Sequence, residues 1–130
     1  MKILFVCSGN VGRSQMAEGF YNYFTKTNNA SSAGTNKSAH LDYLSLPKPI
    51  LDLMKEADID ISHQKVKVIT PRLVNESNQI FVMCEKEICP DFLLKFSNIA
   101  FWDIDDPYEK SFEEMRVIRD LIKEKVLSIL

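Results

Sequence analysis

The sequence predicts an α/β domain built on a parallel sheet, because short apolar runs alternate with segments of helical periodicity along the whole chain. Each apolar run stops at small or polar residues, where a loop begins. Parallel strands need crossover connections, so helices are expected on both faces of the sheet, in three layers. A length of 130 residues with 45% hydrophobic content is enough for one such domain over residues 1–130.

The first strand is predicted at residues 2–6, and it ends at the cysteine of Cys-Ser-Gly-Asn. A helix begins beside Arg13, with Ser14 at the position of an N-cap. The remaining elements are a strand at 30–33, a loop over 34–46, a helix from Pro47 to Ala57, a short helix capped by Thr70, strands at 80–83 and 99–102, and a final helix opened by a capping box at 111–114.

Composition excludes several function classes. Net charge is −2, with 16 basic and 18 acidic residues interleaved, so nucleic acid is not an expected partner. No apolar run approaches the roughly 20 residues of a membrane span, and there is no signal peptide, so we expect a cytoplasmic protein without membrane contact. Its three cysteines are then reduced and do not form a disulfide framework. Structural zinc needs four ligands, and His40 and His63 lie at unrelated spacings, so no metal or other cofactor is expected.

The loop between the first strand and the first helix carries a thiol at one end, Cys7, and a guanidinium at the other, Arg13. Gly9 and Gly12, with Asn10 between them, permit left-handed backbone angles that point successive N–H groups inward as a nest for an anion. The helix N-terminus adds positive potential and favours a nucleophilic thiolate. The predicted anion-binding residues are Ser8, Gly9, Asn10, Val11, Gly12, Arg13 and Ser14.

Arg13 offers a planar fork that matches two oxygens of a tetrahedral anion. Ser14 suits either of two roles, capping the helix or donating its hydroxyl to the Cys7 sulfur. The alternative is that Cys7 is a small buried hydrophobe and Arg13 an ordinary surface cation. The combination of strand, glycines, serine and helix favours the catalytic interpretation.

Further candidate residues follow directly after other predicted strands. Cys84 comes after the third strand, and the acidic residues Asp103, Asp105 and Asp106 come after the fourth. Because ligands of open α/β sheets bind outside the carboxyl ends of the strands, we expect these residues to meet Cys7 at one edge.

The residues from Val6 to Ser14 read Val-Cys-x-Gly-Asn-x-x-Arg-Ser, and they resemble the low-molecular-weight protein tyrosine phosphatase superfamily. The likeness continues through 14–19, 32–35, 58–62 and 102–107, and so covers nearly the whole chain. It implies four parallel strands in the order 2-1-3-4, no cofactor and a monomer. These segments look more like the thioredoxin-coupled arsenate reductase branch, since Gln15 stands where the phosphatases usually carry proline and Tyr108 is not part of a tyrosine pair.

The segment from Cys84 to Cys89 strengthens that likeness, because the reductase branch uses two further cysteines after the third strand. The resemblance implies that Cys7 attacks arsenate, that Asp106 protonates the departing hydroxide, and that Cys84 and then Cys89 carry the disulfide towards thioredoxin. Two departures stand out: Gly12 replaces a cysteine common in the family, and Cys84 and Cys89 are closer together than in the best-known reductases.

Asp106 must be protonated to act as an acid, and the neighbouring Asp105 carboxylate with partial burial is expected to favour that form. If Cys84 and Cys89 are only packing residues, the same loop and acid would hydrolyse a phosphocysteine, which is the tyrosine phosphatase reaction on phosphomonoesters. A third possibility is a catalytically silent phosphate sensor, which needs no reactive thiol.

Overall fold

A twisted sheet of four parallel strands organises the chain. The computed structural model describes residues 1–130, with every side chain except that of Ala39. The strands are β1 (Ile3–Cys7), β2 (Ala30–Gly34), β3 (Gln79–Val82) and β4 (Ile99–Phe101). They lie in the order β2-β1-β3-β4, which confirms the order implied by the family resemblance.

Strand β1 lies in the middle of the sheet and all five of its residues are buried. Phe5 and Cys7 face one apolar cluster, whereas Leu4 and Val6 face a second one on the opposite side. Alternate side chains of a strand point to opposite faces, so a strand covered on both sides reads as a continuous apolar run.

Helices cover both faces of the sheet. They are α1 (Arg13–Thr25), α2 (Ala39–Asp42), α3 (Lys48–Glu56), α4 (Pro71–Asn75), α5 (Asp91–Leu94) and α6 (Phe112–Leu127), with a 3₁₀ turn at Lys86–Ile88. Helices α1, α3 and α6 contact one another over the cluster that contains Phe5, and α4 contacts α5 over the cluster that contains Leu4. The three-layer α/β class is therefore confirmed.

Two helix starts agree closely with their sequence signals. Thr70 accepts a hydrogen bond from the backbone N–H of Leu73 and caps α4, and Ser111 and Glu114 form the capping box of α6. The prediction that 34–46 is only a loop missed α2, and the 3₁₀ turn and α5 after Cys84 were also missed. Each of these pieces has four residues or fewer, too short to show a helical period.

The end of β2 supports the loop that follows β1. The backbone N–H groups of Thr35 and Asn36 donate to the carbonyls of Cys7 and Ser8, at 3.0 and 2.8 Å. A Cβ atom on Gly34 would lie only 2.7 Å from the Ser8 carbonyl oxygen. Only glycine therefore allows β2 to approach the loop this closely.

None of the helices in the described part of the chain is long and apolar enough to cross a membrane.

Replacing Gly34 with alanine should force the loop away from β2. We expect Gly34→Ala to lower the free energy of unfolding by about 1–3 kcal/mol, as overpacking does, and to abolish the rise in Tm that inorganic phosphate gives the unmodified protein. Urea unfolding and thermal melts with and without phosphate measure both effects. Ser31→Ala, on the same strand but away from the loop, is the control, and equal behaviour of the two variants would contradict this role of Gly34.

Candidate active site

The loop from Cys7 to Arg13 turns on one residue in the left-handed region. Asn10 has φ of 57°, and it is the only loop residue with a positive φ. The expectation that Gly9 and Gly12 take left-handed angles is wrong, because no glycine in the described structure has a positive φ. Asparagine tolerates this conformation better than most residues, because its short side chain can form local hydrogen bonds.

Gly12 provides space for a neighbouring segment of the chain. Its φ is −131°, and a Cβ atom there would lie 3.0 Å from Cγ of Pro107. Gly12 thus lets the segment after β4, which contains the buried Pro107, pack against the loop.

Two groups of the loop bond the Cys7 sulfur, which is itself buried. The Asn10 backbone N–H donates to Sγ at 3.3 Å, and the Ser14 hydroxyl lies 2.9 Å from Sγ. Among the described residues, the N–H groups of Ser8, Gly9, Val11 and Gly12 have no protein acceptor. They are the free donors that an anion-binding nest requires.

The direction of the Ser14 hydrogen bond follows from the Asn10 side chain. The backbone N–H of Lys67 can only donate, and it lies 2.8 Å from Asn10 Oδ1, which fixes the orientation of that amide. Asn10 Nδ2 therefore donates to the Ser14 oxygen at 2.8 Å, and the serine hydrogen is left to point at the sulfur. Helix α1 begins at Arg13 with no side-chain cap, so of the two roles open to Ser14 the structure favours the bond to Cys7.

Arg13 is anchored at the carboxyl ends of β3 and β4. Its Nη1 donates to the backbone carbonyl of Met83 and, at 3.0 Å, to that of Ile104. Arg13 is buried, with 8% of the residue exposed, and Nη2 donates to the Ser8 hydroxyl at 3.3 Å. With Nη1 engaged by the backbone, the fork of the guanidinium reaches the loop through Nη2.

Asp106 lies beside this fork. Its Oδ2 is 3.7 Å from Nη2 of Arg13, and its Oδ1 accepts from the backbone N–H of Tyr108 at 3.0 Å. The expected partial burial is not found, because the Asp106 side chain is 56% exposed and Asp105 is exposed as well.

A cavity of about 280 Å³ opens over the Cys7 sulfur. Arg13 and Asp106, two of the residues singled out in the sequence, line it together with the loop. The rest of its wall comes from residues to which the sequence analysis gave no role at the site: Asn36, Asp42, Tyr43 and Tyr108. The sequence did contain a signal that Tyr108 lies near the site, since this residue directly follows Asp106-Pro107. Asp42 and Tyr43 lie on and just after α2, which the sequence did not reveal.

The other two cysteines lie in a neighbouring part of the same sheet edge. Cys84 lines a second cavity of about 520 Å³, which shares Ser8, Arg13 and Asp106 with the first. All three cysteines of the chain are free thiols. Cys89 is buried, and its thiol donates to the Glu85 carbonyl at 3.5 Å.

Burial raises the pKa of Cys84 to about 12, and the negative charges of the Cys89 and Cys7 thiolates act in the same direction. Burial also raises the pKa of Cys89, although a hydrogen bond from Cys84 works against it. Both thiols are therefore uncharged near neutral pH.

The described residues contain no cluster of three or more His, Cys, Asp or Glu side chains that could hold a metal ion.

Comparison with known proteins identifies the family of this site. The family model described as low molecular weight phosphotyrosine protein phosphatase matches residues 2–130. The chain belongs to that family.

Curated relatives of this chain are named for arsenate. Arsenate reductase 2 of Staphylococcus saprophyticus is 32% identical over 127 residues, which are 95% of this chain and 92% of that protein. The arsenate reductase of Staphylococcus aureus strain Newman is 32% identical, with 93% of this chain and 89% of that protein covered.

Solved structures of the low molecular weight phosphatase family share the fold. An arsenate reductase in its phosphate-binding state superposes with a TM-score of 0.83 at 28% identity, over 99% of this chain and 96% of that one. Vibrio vulnificus Wzb in complex with benzylphosphonate gives a TM-score of 0.82 at 25% identity, over 98% and 94% of the two chains.

In this family member the environments of the thiols predict an order of reactivity. With limiting iodoacetamide at about pH 7, we expect alkylation of Cys7 first, because it accepts hydrogen bonds at the floor of an open cavity, whereas burial keeps Cys84 and Cys89 protonated. Inorganic phosphate should slow the labelling of Cys7 alone. Peptide mass spectrometry measures all three rates, and faster labelling of Cys84 than Cys7 would contradict the site described here.

Proposed function

We propose that this chain is an arsenate reductase in which Cys7 is the nucleophile and Cys84 and Cys89 carry the oxidising equivalents away. The observation that supports this most strongly is the free thiol of Cys84 in a cavity that shares Ser8, Arg13 and Asp106 with the cavity of Cys7, followed closely in the chain by a third free thiol, Cys89. Hydrolysis of a phosphate ester needs only the first thiol. Reduction of arsenate by the mechanism proposed below uses all three thiols.

In the first step the Cys7 thiolate attacks arsenic, a sulfur–arsenic bond forms, and a hydroxide leaves on the opposite side. The free N–H groups of the loop and the guanidinium of Arg13 bind the other oxygens and stabilise the charge that develops on them. Asp106 gives its proton to the departing oxygen, which leaves as water. Its carboxyl group lines the cavity over the sulfur, which supports this role.

In the second step the Cys84 sulfur, after losing its proton, attacks the Cys7 sulfur of the adduct. A disulfide forms between them, and the electron pair of the broken sulfur–arsenic bond stays on arsenic, which is thereby reduced from As(V) to As(III) and leaves as arsenite. Cys89 then attacks Cys84 and releases Cys7 as a thiolate. The Cys84–Cys89 disulfide takes two electrons from an external dithiol, for which we propose thioredoxin.

The proposed setting follows from this chemistry. A relay of three free thiols works only where thiols stay reduced, so we propose a cytoplasmic location. Every residue in the mechanism comes from one chain, and a monomer is therefore sufficient.

Phosphatase activity on phosphomonoesters is the second candidate. The cavity over Cys7 is walled by the rings of Tyr43 and Tyr108, which can flank an aryl leaving group, and the Vibrio relative at 25% identity binds benzylphosphonate. In this reaction water hydrolyses the phosphocysteine, and neither Cys84 nor Cys89 takes part.

Exchange of Cys84 for serine separates the two reactions. We expect Cys84→Ser to release no arsenite with thioredoxin present and to keep its cleavage of p-nitrophenyl phosphate, because only the reduction needs a second sulfur. Cys89→Ser is the matched variant: Cys84 can still attack Cys7, so about one arsenite per chain should appear before turnover stops. Unchanged arsenate turnover by Cys84→Ser would remove Cys84 from the mechanism.

Asp106→Asn should slow both reactions, because each one needs a proton delivered to the leaving oxygen. A fall in kcat of about 10²–10⁴-fold is expected for arsenate and for p-nitrophenyl phosphate alike. Asp105→Asn, one residue away and also exposed, is the control and should change kcat little. Equal losses in the two variants would argue for a general effect of negative charge at the cavity mouth.

A further inference from the structure

Two buried glutamines lie behind the anion loop and take no part in the mechanism above. Gln15 on α1 is 0% exposed, and Gln64, in the segment between α3 and α4, is 8% exposed. Burying an amide is costly unless its polar atoms are paired. The partners of these two amides therefore show what the pair does.

Gln15 donates hydrogen bonds to Asn10. Its Nε2 donates to the Asn10 backbone carbonyl at 2.9 Å and to the Asn10 side-chain oxygen at 2.9 Å, and it also reaches the Lys65 carbonyl at 2.9 Å. Backbone carbonyls can only accept, so this end of the amide is the nitrogen.

Gln64 fixes the other end of Gln15. Its Nε2 donates to Gln15 Oε1 at 2.8 Å and to the Gln15 backbone carbonyl at 3.0 Å. The pair therefore has one hydrogen-bonding direction, from Gln64 to Gln15 and from Gln15 to Asn10.

Asn10 passes this restraint on to the nucleophile. It is the residue held at a positive φ, its backbone N–H donates to the Cys7 sulfur, and its Nδ2 donates to Ser14. If the Asn10 amide turned over, the Ser14 hydroxyl would lose the donor that directs its own hydrogen to Cys7.

We propose that the Gln64–Gln15 pair is a positioning device for Cys7: it holds the Asn10 backbone and side chain so that both Asn10 N–H and Ser14 O–H donate to the sulfur. The inference depends on Cys7 being the nucleophile of the proposed function. It does not depend on whether the substrate is arsenate or a phosphomonoester.

The test is the pH profile of Cys7 alkylation by iodoacetamide, followed on the Cys7 peptide by mass spectrometry. Gln15→Met keeps the length and bulk of the side chain and removes the donor. We expect its profile to move to higher pH, with alkylation at about pH 6 slowed about tenfold, since a hydrogen bond to a charged group has an effect of that order. Gln64→Met should move the profile in the same direction by a smaller amount.

Asn22→Leu is the matched control. Asn22 is also on α1, and its amide also bonds a backbone at both ends, donating to the Ala30 carbonyl at 3.1 Å and accepting from the Ala30 N–H at 2.9 Å. This variant should lose stability, measured by its Tm, and keep the alkylation profile of the unmodified protein. A purely structural role for Gln15 predicts the same result for Gln15→Met.

Each outcome decides the proposal. Shifted profiles in the two glutamine variants and an unshifted one in Asn22→Leu support it. Unshifted profiles in the glutamine variants, or an equal shift in all three, overturn it. If Gln15→Met does not fold, Gln64→Met decides by the same criterion. Failure of the proposed function would appear separately, as absent arsenate and p-nitrophenyl phosphate turnover by the unmodified protein.

Discussion

The conformation of the catalytic loop depends on the hydrogen bonds of the buried Asn10 side chain. It connects the loop to two other parts of the chain: its oxygen accepts from Gln15 on α1 and from the backbone of Lys67, and its nitrogen donates to Ser14, also on α1 and beside the sulfur. A residue at positive φ persists where its surroundings hold it there. The hydrogen bonds that hold Asn10 at this angle also direct its N–H and the Ser14 hydroxyl towards Cys7. The conformation of the loop and the hydrogen bonding of the nucleophile therefore depend on the same contacts.

Arg13 joins this loop to the opposite half of the sheet. Its Nη1 bonds the carbonyls of Met83 and Ile104, which follow β3 and β4, so the anion-binding fork is held by the strand ends that carry Cys84 and Asp106. Parallel strands bring these groups to one edge by topology alone. The guanidinium then fixes their relative positions, which topology cannot do.

The sequence predicted the strands and the longer helices because each has its own local signal: a buried apolar run, a proline in the first turn or a capping box. The order of the strands has no such local signal and came from the family resemblance. The sequence also singled out Cys7 and Arg13, since they share a short loop. It assigned the left-handed turn to the glycines, because the freedom of glycine is a property of the residue, whereas the bonds that hold Asn10 there come from residues 15 and 67. Asp42 and Tyr43 were missed for a similar reason: their approach to the cavity follows from how a single helical turn packs.

The two candidate reactions differ in the role of Cys84, which attacks Cys7 in the reduction and takes no part in the hydrolysis. Burial keeps Cys84 protonated, with a pKa of about 12. A neutral thiol cannot compete with Cys7 for the anion, so the first chemical step falls to Cys7 in either reaction. Burial thus favours a fixed order of sulfur chemistry: Cys7 reacts first, and Cys84 acts only in the reduction, after it has lost its proton.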